Sequence, residues 1–394
     1  MWLTSSIGQE VINKASTFIE TLTASTKLRT LYPDLSPELI RQAITQSTLR
    51  SKAASEIPEH FLFTEEGLQQ ATRPAVAKFR ANFIQEAFGS QKIVDLTCGL
   101  GLDSYFLASL GHSLTAIEID PVVAQIANYN LSPLGIEVIN TDATEFQVPQ
   151  DTDLVFIDPA RRDPNGPRPI SGQAKRITNP NNWSPSLDFV KELSNKYKVV
   201  AKVAPGISNE TIGNWDAYWI SHEGDLVETM LVWPGESRRF AVLLNKSTTS
   251  IIEGGSTTKT GDLGQYLIVP NPALIRASAL DFLANKFNAG LVNEHIAWLT
   301  CKDNPIESID QNVAQYFEIK SVQKLNEKEL VKVIATQNAG SLTIMSRGVD
   351  LDPEVLRKKL LRHPVKAGPE LVVAIYREDA GTVALVCTRL TKRL

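Results

Sequence analysis

Over residues 1–88 the apolar positions fall at helical spacing. Val11, Ile12, Ala15, Phe18 and Ile19 form one stripe of an amphipathic helix. Ser36-Pro37-Glu38 predicts a second start, with serine as cap and proline in the first turn, where its missing N–H costs nothing. A further helix is predicted from about Pro74 to Phe88, with Val76, Phe79, Phe83 and Ala87 on one face. From about Gln91 short apolar, β-branched runs alternate with helical stretches. Strands are predicted at Ile93–Leu96, Leu114–Ile117, Ile136–Ile139, Leu154–Ile157 and Val199–Val203. Between them lie a helix over Ser104–Leu110, stopped by Gly111, and one capped by Asp120 with Pro121 in its first position. This alternation indicates an α/β fold whose parallel sheet is covered on both faces. Leu226–Trp233 and Arg239–Leu244 stand at hairpin spacing across Pro234-Gly235-Glu236-Ser237, so the sheet is expected to end in an antiparallel edge.

Residues 247–262 are rich in Ser, Thr and Gly and read as a linker or long exposed turn. Beyond them come a helical stretch over Ala273–Phe287, a short mixed segment, and a small α+β unit. That unit comprises helix Glu327–Ala335, strand Ser341–Ser346, helix Pro353–Leu361, and strands Glu370–Arg377 and Thr382–Thr388. The expected organisation is a helical region over 1–88, an α/β domain over 89–246, a connecting segment over 247–319 and a C-terminal domain over 320–394. With 394 residues, 43% hydrophobic and 21% charged, several cores can be buried and wholesale disorder is excluded. The net charge of −4 excludes nucleic-acid binding by bulk charge, so such binding must come from local patches. Cys98, Cys301 and Cys387 lie far apart, which disfavours a disulfide framework or a zinc site. With no leader-like start and no long apolar run, a soluble cytoplasmic protein is expected.

The chemistry concentrates at predicted strand ends. Val94-Asp95-Leu96-Thr97-Cys98-Gly99-Leu100-Gly101-Leu102-Asp103 follows a strand and opens a helix. Its glycines let a ligand approach the backbone closely. Ser104 stands where a dinucleotide fingerprint needs its third glycine, and Asp95 and Asp103 flank the turn. Carboxylates there repel a pyrophosphate and suit a cationic amino-acid end. Glu118, followed by Ile119, ends the next strand, where an acid can accept both hydroxyls of a ribose. Asp142, followed by Ala143, comes after the third strand and can accept from an adenine amino group; Asp158 follows the fourth. Such a series marks the carboxyl-end crevice of an open α/β sheet.

This series resembles the class I S-adenosylmethionine (SAM) dependent methyltransferases over about residues 91–245. The resemblance implies a Rossmann-like sheet, with Asp95, Thr97, Gly99, Gly101, Asp103, Glu118, Ile119, Asp142, Ala143 and Asp158 around the cofactor. Gly99 and Gly101 would face the methionine part and Asp95 its ammonium. Asp158-Pro159-Ala160-Arg161 would lie beside the sulfonium methyl. Amine methyltransferases usually carry an aromatic residue where Arg161 stands, and uracil-C5 enzymes need a cysteine in the stretch Ala201-Lys202-Val203-Ala204-Pro205-Gly206. Transfer by positioning remains, with Asp158 orienting or deprotonating the acceptor, and Pro159, Arg161 and Lys202 beside it.

Arg161, Arg162, Arg168, Lys175 and Arg176 make the following loop basic, suited to phosphate. The stretch from His60 to Arg73 leads into the helix before the first strand, so Arg73, Lys78 and Arg80 are expected to overhang the cofactor cleft. This stretch, Asp-Pro-Ala-Arg-Arg and Lys-x-x-Pro-Gly are similar to a bacterial branch of methyltransferases with a C-terminal THUMP-like domain. THUMP domains bind RNA, which implies a tRNA or rRNA partner and gives a purpose to Arg347, Arg357, Lys358 and Arg362. A protein or small-molecule acceptor, or a non-catalytic SAM- or RNA-binding role, stands as the alternative.

Overall fold

The computed structural model describes residues 2–18, 21–160, 179–362 and 364–391. The chain divides into two compact units, Met1–Val203 with Met230–Gly235, and Ala204–Thr229 with Glu236–Leu394.

The first unit opens with helices α1 (Ser6–Ser16), α2 (Thr21–Leu31), α3 (Pro37–Lys52), α4 (Glu65–Gln70) and α5 (Pro74–Phe88). Ser36 caps α3 by accepting from Leu39 N at 3.3 Å, as the Ser-Pro start predicts. There follow β1 (Lys92–Asp95), α6 (Leu102–Ser109), β2 (Ser113–Glu118), α7 (Pro121–Leu131), β3 (Val138–Asn140), β4 (Leu154–Ile157), α8 (Leu187–Leu193) and β5 (Lys198–Val203). The strands pair in parallel in the order β3-β2-β1-β4-β5. Asp120 caps α7 through Val122 N and Val123 N at 2.8 and 3.0 Å.

The helical region shares a core with the sheet's own helices. Val11, Ile12, Leu28, Ile40, Phe61 and Leu62 pack in one cluster with Leu100, Leu102 and Ile126. Polar clasps fix its register. Asn130 on α7, fully buried, accepts from Leu62 N at 2.8 Å and donates to the carbonyls of Leu62 and Leu100 at 3.1 and 3.0 Å. Gln46 on α3 pairs with Phe63 N and O from the other side, at 3.0 and 2.6 Å. Stranding any of these buried groups would cost about 1–3 kcal/mol, so the segment 61–63 is tightly specified.

The second unit begins with α9 (Asn209–Ile212), β6 (Asp216–His222), β7 (Asp225–Trp233, whose last four residues belong to the first unit), β8 (Arg239–Leu244) and β9 (Thr249–Glu253). Here the expected hairpin is corrected. β8 pairs in parallel with β6, Ala217 facing Arg239, and on its other edge antiparallel with β9. The two-residue turn is instead Glu223-Gly224, between β6 and β7, with φ of 53° and 88°, the left-handed pair that such turns need. Buried Asp216, at the head of β6, accepts from Glu236 N and Arg238 N at 2.8 and 2.9 Å and holds the Arg238 guanidinium in a two-point pair. That contact carries the loop back to the start of β6, so β8 runs alongside it. A second correction concerns the expected linker. Its apolar residues, Ile251 and Ile252, belong to strand β9.

The remaining elements are β10 (Tyr266–Pro270), α10 (Pro272–Arg276), α11 (Leu280–Phe287), β11 (Gly290–Asn293), β12 (Ile296–Cys301), β13 (Ala314–Lys324), α12 (Glu327–Thr336), β14 (Ser341–Arg347), α13 (Pro353–Leu360), β15 (Glu370–Glu378) and β16 (Gly381–Leu390). They form a seven-stranded sheet in the order β11-β12-β10-β13-β16-β15-β14, antiparallel except for β14 against β15. β15 is buried on both faces. Leu371, Val373 and Ile375 pack with Leu330 and Ile334 of α12 and Leu356 and Leu360 of α13, while Val372, Ala374 and Tyr376 pack with Trp298 and Phe317.

Candidate active site

The parallel register brings the candidate residues to one rim. Asp95 faces Ala116 on β2 and Phe156 on β4; Glu118 faces Asn140; Ile157 faces Ala201, so Asp158 and Lys202 each lie one step past a paired position. The turn after β1 is threaded between its neighbours, Leu96 N donating to Phe156 O at 3.0 Å and Cys98 N to Ile117 O at 2.9 Å.

Asp95 is fully buried beneath this turn. Its carboxylate accepts from Thr97 N at 3.1 Å and Ser104 Oγ at 2.6 Å, which binds both ends of the glycine turn to the strand. Burial pushes its pKa up to about 7, against the pull of those two hydrogen bonds. Gly101 heads α6 with φ 88°, and a Cβ there would stand 2.9 Å from Leu131, so glycine is required on both counts. Gly99, with φ 55°, has open space on the side where a Cβ would stand. The turn thus presents bare backbone on one side and rests on packed side chains on the other.

Glu118 accepts from Gly99 N at 3.0 Å and Asp120 N at 2.9 Å, and burial raises its pKa. Ile119 beside it is 59% exposed, a large apolar side chain in the open. Asp142 turns one oxygen to Thr144 N and Oγ1, at 2.8 and 2.7 Å, and Ala143 is buried. Thr97 Oγ1 accepts from Asp158 N at 2.6 Å, linking the glycine turn to the β4 loop.

At the β4 and β5 ends the Lys202 ammonium is ion-paired with Asp158 Oδ2 and donates to Thr72 Oγ1 at 2.9 Å. Pro159 is buried behind Asp158, and Ala160 exchanges both backbone hydrogen bonds with Ser184, at 2.7 and 3.0 Å. Arg161, Arg162, Arg168, Lys175 and Arg176, expected in the phosphate loop, lie outside the described residues.

The expectation that Arg80 overhangs the cleft as a contact for RNA is corrected by the structure. Arg80 is 1% exposed, ion-paired with Asp103 Oδ1 and stacked over Phe156 at 5.3 Å. Its position on α5 turns it into the core, because Val76, Ala77, Arg80, Ala81 and Ile84 are all buried there. The other Asp103 oxygen accepts from Thr72 Oγ1 at 2.7 Å, so Asp103 binds both α5 and the residue before its cap to α6. Arg73, at the start of α5, is exposed. Sequence reasoning missed the roles of Thr72, Ser104 and Asn130; Ser104 was noted only as the missing third glycine, and Thr72 lay in the stretch that leads into α5.

In the second unit Arg347 ends β14 and is exposed. Arg357 and Lys358 lie on α13, with Arg357 paired to Glu354, and Arg362 falls after the helix, which ends at Leu360. Among the described residues no group of three His, Cys, Asp or Glu side chains could hold a metal ion, and no helix is long and apolar enough to cross a membrane.

Comparison with known proteins decides the class. The family model for ribosomal RNA adenine dimethylase matches residues 60–238, and the THUMP domain-like model matches residues 314–389. An uncharacterized SAM-dependent methyltransferase of Mycobacterium tuberculosis, in strains CDC 1551 / Oshkosh and H37Rv, is 27% identical over 375 residues, spanning 91% of this chain and 98% of its own. The chain is a class I SAM-dependent methyltransferase with a C-terminal THUMP-like domain. A crystallised protein of Porphyromonas gingivalis W83 assigned as a methyltransferase shares its fold, with a TM-score of 0.72 at 18% identity over 97% of this chain and 98% of that one. The methyltransferase's rim carries groups of the kinds its cofactor needs, with bare backbone at Gly99, a carboxylate at Glu118 and an exposed apolar side chain at Ile119.

Proposed function

We propose that this methyltransferase modifies RNA, tRNA or rRNA, in the cytoplasm, and that the Asp158–Lys202 pair orients the accepting group. The observation that carries the RNA reading is the pairing of two matches on one chain. A ribosomal RNA adenine dimethylase model covers 60–238 and a THUMP domain-like model covers 314–389. The first match does not extend to the atom methylated, because the loop reads Asp158-Pro159-Ala160-Arg161 and lacks the aromatic residue usual in amine methyltransferases.

SAM supplies a methyl group on a good leaving group, so alignment of the acceptor provides much of the rate. Glu118 would hold the ribose hydroxyls, Ile119 and Ala143 would hold the base, and the second oxygen of Asp142 would accept from its exocyclic amine. Gly99 and Gly101 allow close approach of the amino-acid end. Asp95 lies beneath that turn, and a cation settling above it favours the ionised carboxylate that burial opposes. Asp158 Oδ2 is engaged by Lys202, which leaves Oδ1 to accept an N–H or O–H of the acceptor and aim its lone pair. Arg73, Arg161, Arg162, Arg168, Lys175 and Arg176 serve phosphates around that acceptor. Arg347, Arg357, Lys358 and Arg362 provide a second set of phosphate contacts.

The test uses purified protein and methyl-labelled SAM, with total RNA and total protein from a strain lacking the gene. RNase-sensitive label supports the reading. Label confined to protein overturns it in favour of a protein acceptor.

A further inference from the structure

The Asp158–Lys202 pair does not stand alone. Lys202 Nζ donates to Thr72 Oγ1 at 2.9 Å, Thr72 Oγ1 donates to Asp103 Oδ2 at 2.7 Å, and Asp103 Oδ1 is ion-paired with the buried guanidinium of Arg80. The direction of every bond is fixed by the groups. An ammonium only donates and a carboxylate only accepts, so the one hydroxyl proton of Thr72 goes to Asp103 and its lone pair faces Lys202. The chain holds two cations and two anions in alternation, joined by one hydroxyl that is itself buried. Both ends of the support come from α5 and the residues that lead into it. Arg80 lies on α5, and Thr72 stands at its mouth, where Pro74 in the first turn keeps Arg73 extended at φ −60°, ψ 130°.

We infer that Thr72 is a positioning residue for methyl transfer: it gives the Lys202 ammonium a second fixed acceptor, so that Lys202 stays on Asp158 Oδ2 and Asp158 Oδ1 stays aimed at the accepting group. Resting on the reading of Asp158 given above, this assigns the helical region a part in the reaction. The stretch before α5, expected to contribute basic contacts to substrate, contributes a neutral hydroxyl to the site's frame. Without the Thr72 hydroxyl the lysine has one fixed acceptor fewer, and its four-carbon stem can turn more readily toward a phosphate oxygen that enters the cleft, releasing Asp158 as it goes.

The experiment compares wild type, Thr72→Val, Thr72→Ala, Thr72→Ser and Asp158→Asn, each checked for a cooperative thermal transition. The first readout is single-turnover transfer from labelled SAM to total RNA of a strain lacking the gene, with SAM binding measured by calorimetry. Thr72→Val should slow transfer ten- to a hundredfold while SAM affinity stays within twofold, and Thr72→Ser, which keeps the hydroxyl, should recover to within threefold of wild type. The second readout needs no acceptor. Competitive acetylation with mass-spectrometric mapping should find Lys202 at least fivefold more reactive in Thr72→Val than in wild type, relative to the exposed Lys191, and unchanged in Thr72→Ser. Thr72→Ala serves the same two readouts if the valine variant does not fold. Unchanged Lys202 reactivity in the folded variant overturns the inference, as does a normal transfer rate where Asp158→Asn is inactive. If Asp158→Asn transfers normally, the reading of Asp158 falls. If wild type labels no RNA, the RNA reading falls while the Lys202 footprint still decides the role of Thr72.

Discussion

Two clusters of charge among the described residues are built on opposite plans. Around Asp158 the charges are buried or half-buried, and each is held by partners of fixed direction: Arg80 on Asp103, Thr72 between Asp103 and Lys202, Lys202 on Asp158. Around α13 they stand in solvent. Arg357 meets Glu354 within its own helix, and Lys359 meets Glu327 with both side chains about half exposed. A buried charge that loses its partner has no water to turn to, whereas an exposed one has. One cluster is therefore sensitive to each member singly, and the other responds only to the sum of its charges.

The sharpest way to break this contrast is Arg80→Met. It leaves the Asp103 carboxylate, 12% exposed, with one neutral partner, and should cost about 3–5 kcal/mol of stability in chemical denaturation. A loss under 1 kcal/mol would place this pair with the surface ones. Next comes Asp158→Asn, which should lower transfer by about a hundredfold or more while SAM affinity holds; equal losses in both would make Asp158 a cofactor ligand only. Third is the pH response of Asp95. Its pKa in the fold is about 7, raised from 3.8 by burial. The group's contribution to stability is thus fully present below about pH 4 and is lost as pH rises through about 7. A ligand ammonium above the turn needs the ionised form. Affinity for S-adenosylhomocysteine should therefore weaken on the order of tenfold from pH 7.5 to pH 5.5, and Asp95→Asn should flatten that dependence. Calorimetry at the two pH values measures it.

On the exposed cluster the effects are smaller and additive. Arg347→Ala, Lys358→Ala and Arg362→Ala combined should leave folding intact and reduce the salt slope of RNA binding by about 2, at roughly 0.7 for each phosphate of a single strand that is no longer neutralised. Smallest of all, Lys359→Ala should change stability by less than about 1 kcal/mol. A larger loss would mean that the pair to Glu327 joins α12 and α13 more strongly than its exposure implies.

The same contrast explains what the sequence made legible. Local signals sufficed for α3, with its Ser36-Pro37 start, for α7, capped by Asp120, and for β4, read to the residue. The strand-end acids were legible because a parallel sheet must place them on one rim. Partner choice was not. Nothing near Arg80 in sequence announces Asp103, 23 positions on, and an arginine on an amphipathic helix ordinarily faces water. The hairpin was misplaced for a related reason. Pro234-Gly235 looks like the stronger turn, but Asp216 captures the backbone after it, and the weaker-looking Glu223-Gly224 supplies the reversal. β13 escaped notice because polar Gln315, Glu318, Lys320 and Gln323 interrupt its apolar positions, and its pairing with β10 and β16 is remote in the chain.

The clasp at Asn130 bears on how the protein can be cut. A fragment trimmed to the matched methyltransferase region would start near residue 60 and retain Phe61, Leu62 and Phe63. It would discard Gln46 and Arg50, whose side chains hold the backbone of those residues, and the α1 and α3 side chains that cover Phe61 and Leu62. Asn130 would still grip Leu62 on one side and Leu100 of the glycine turn on the other, so the newly bared surface would tug directly on the proposed cofactor site. A domain boundary drawn from sequence matches is here a wound in the active unit, and the shortest piece worth expressing keeps the helices that no chemistry seemed to need.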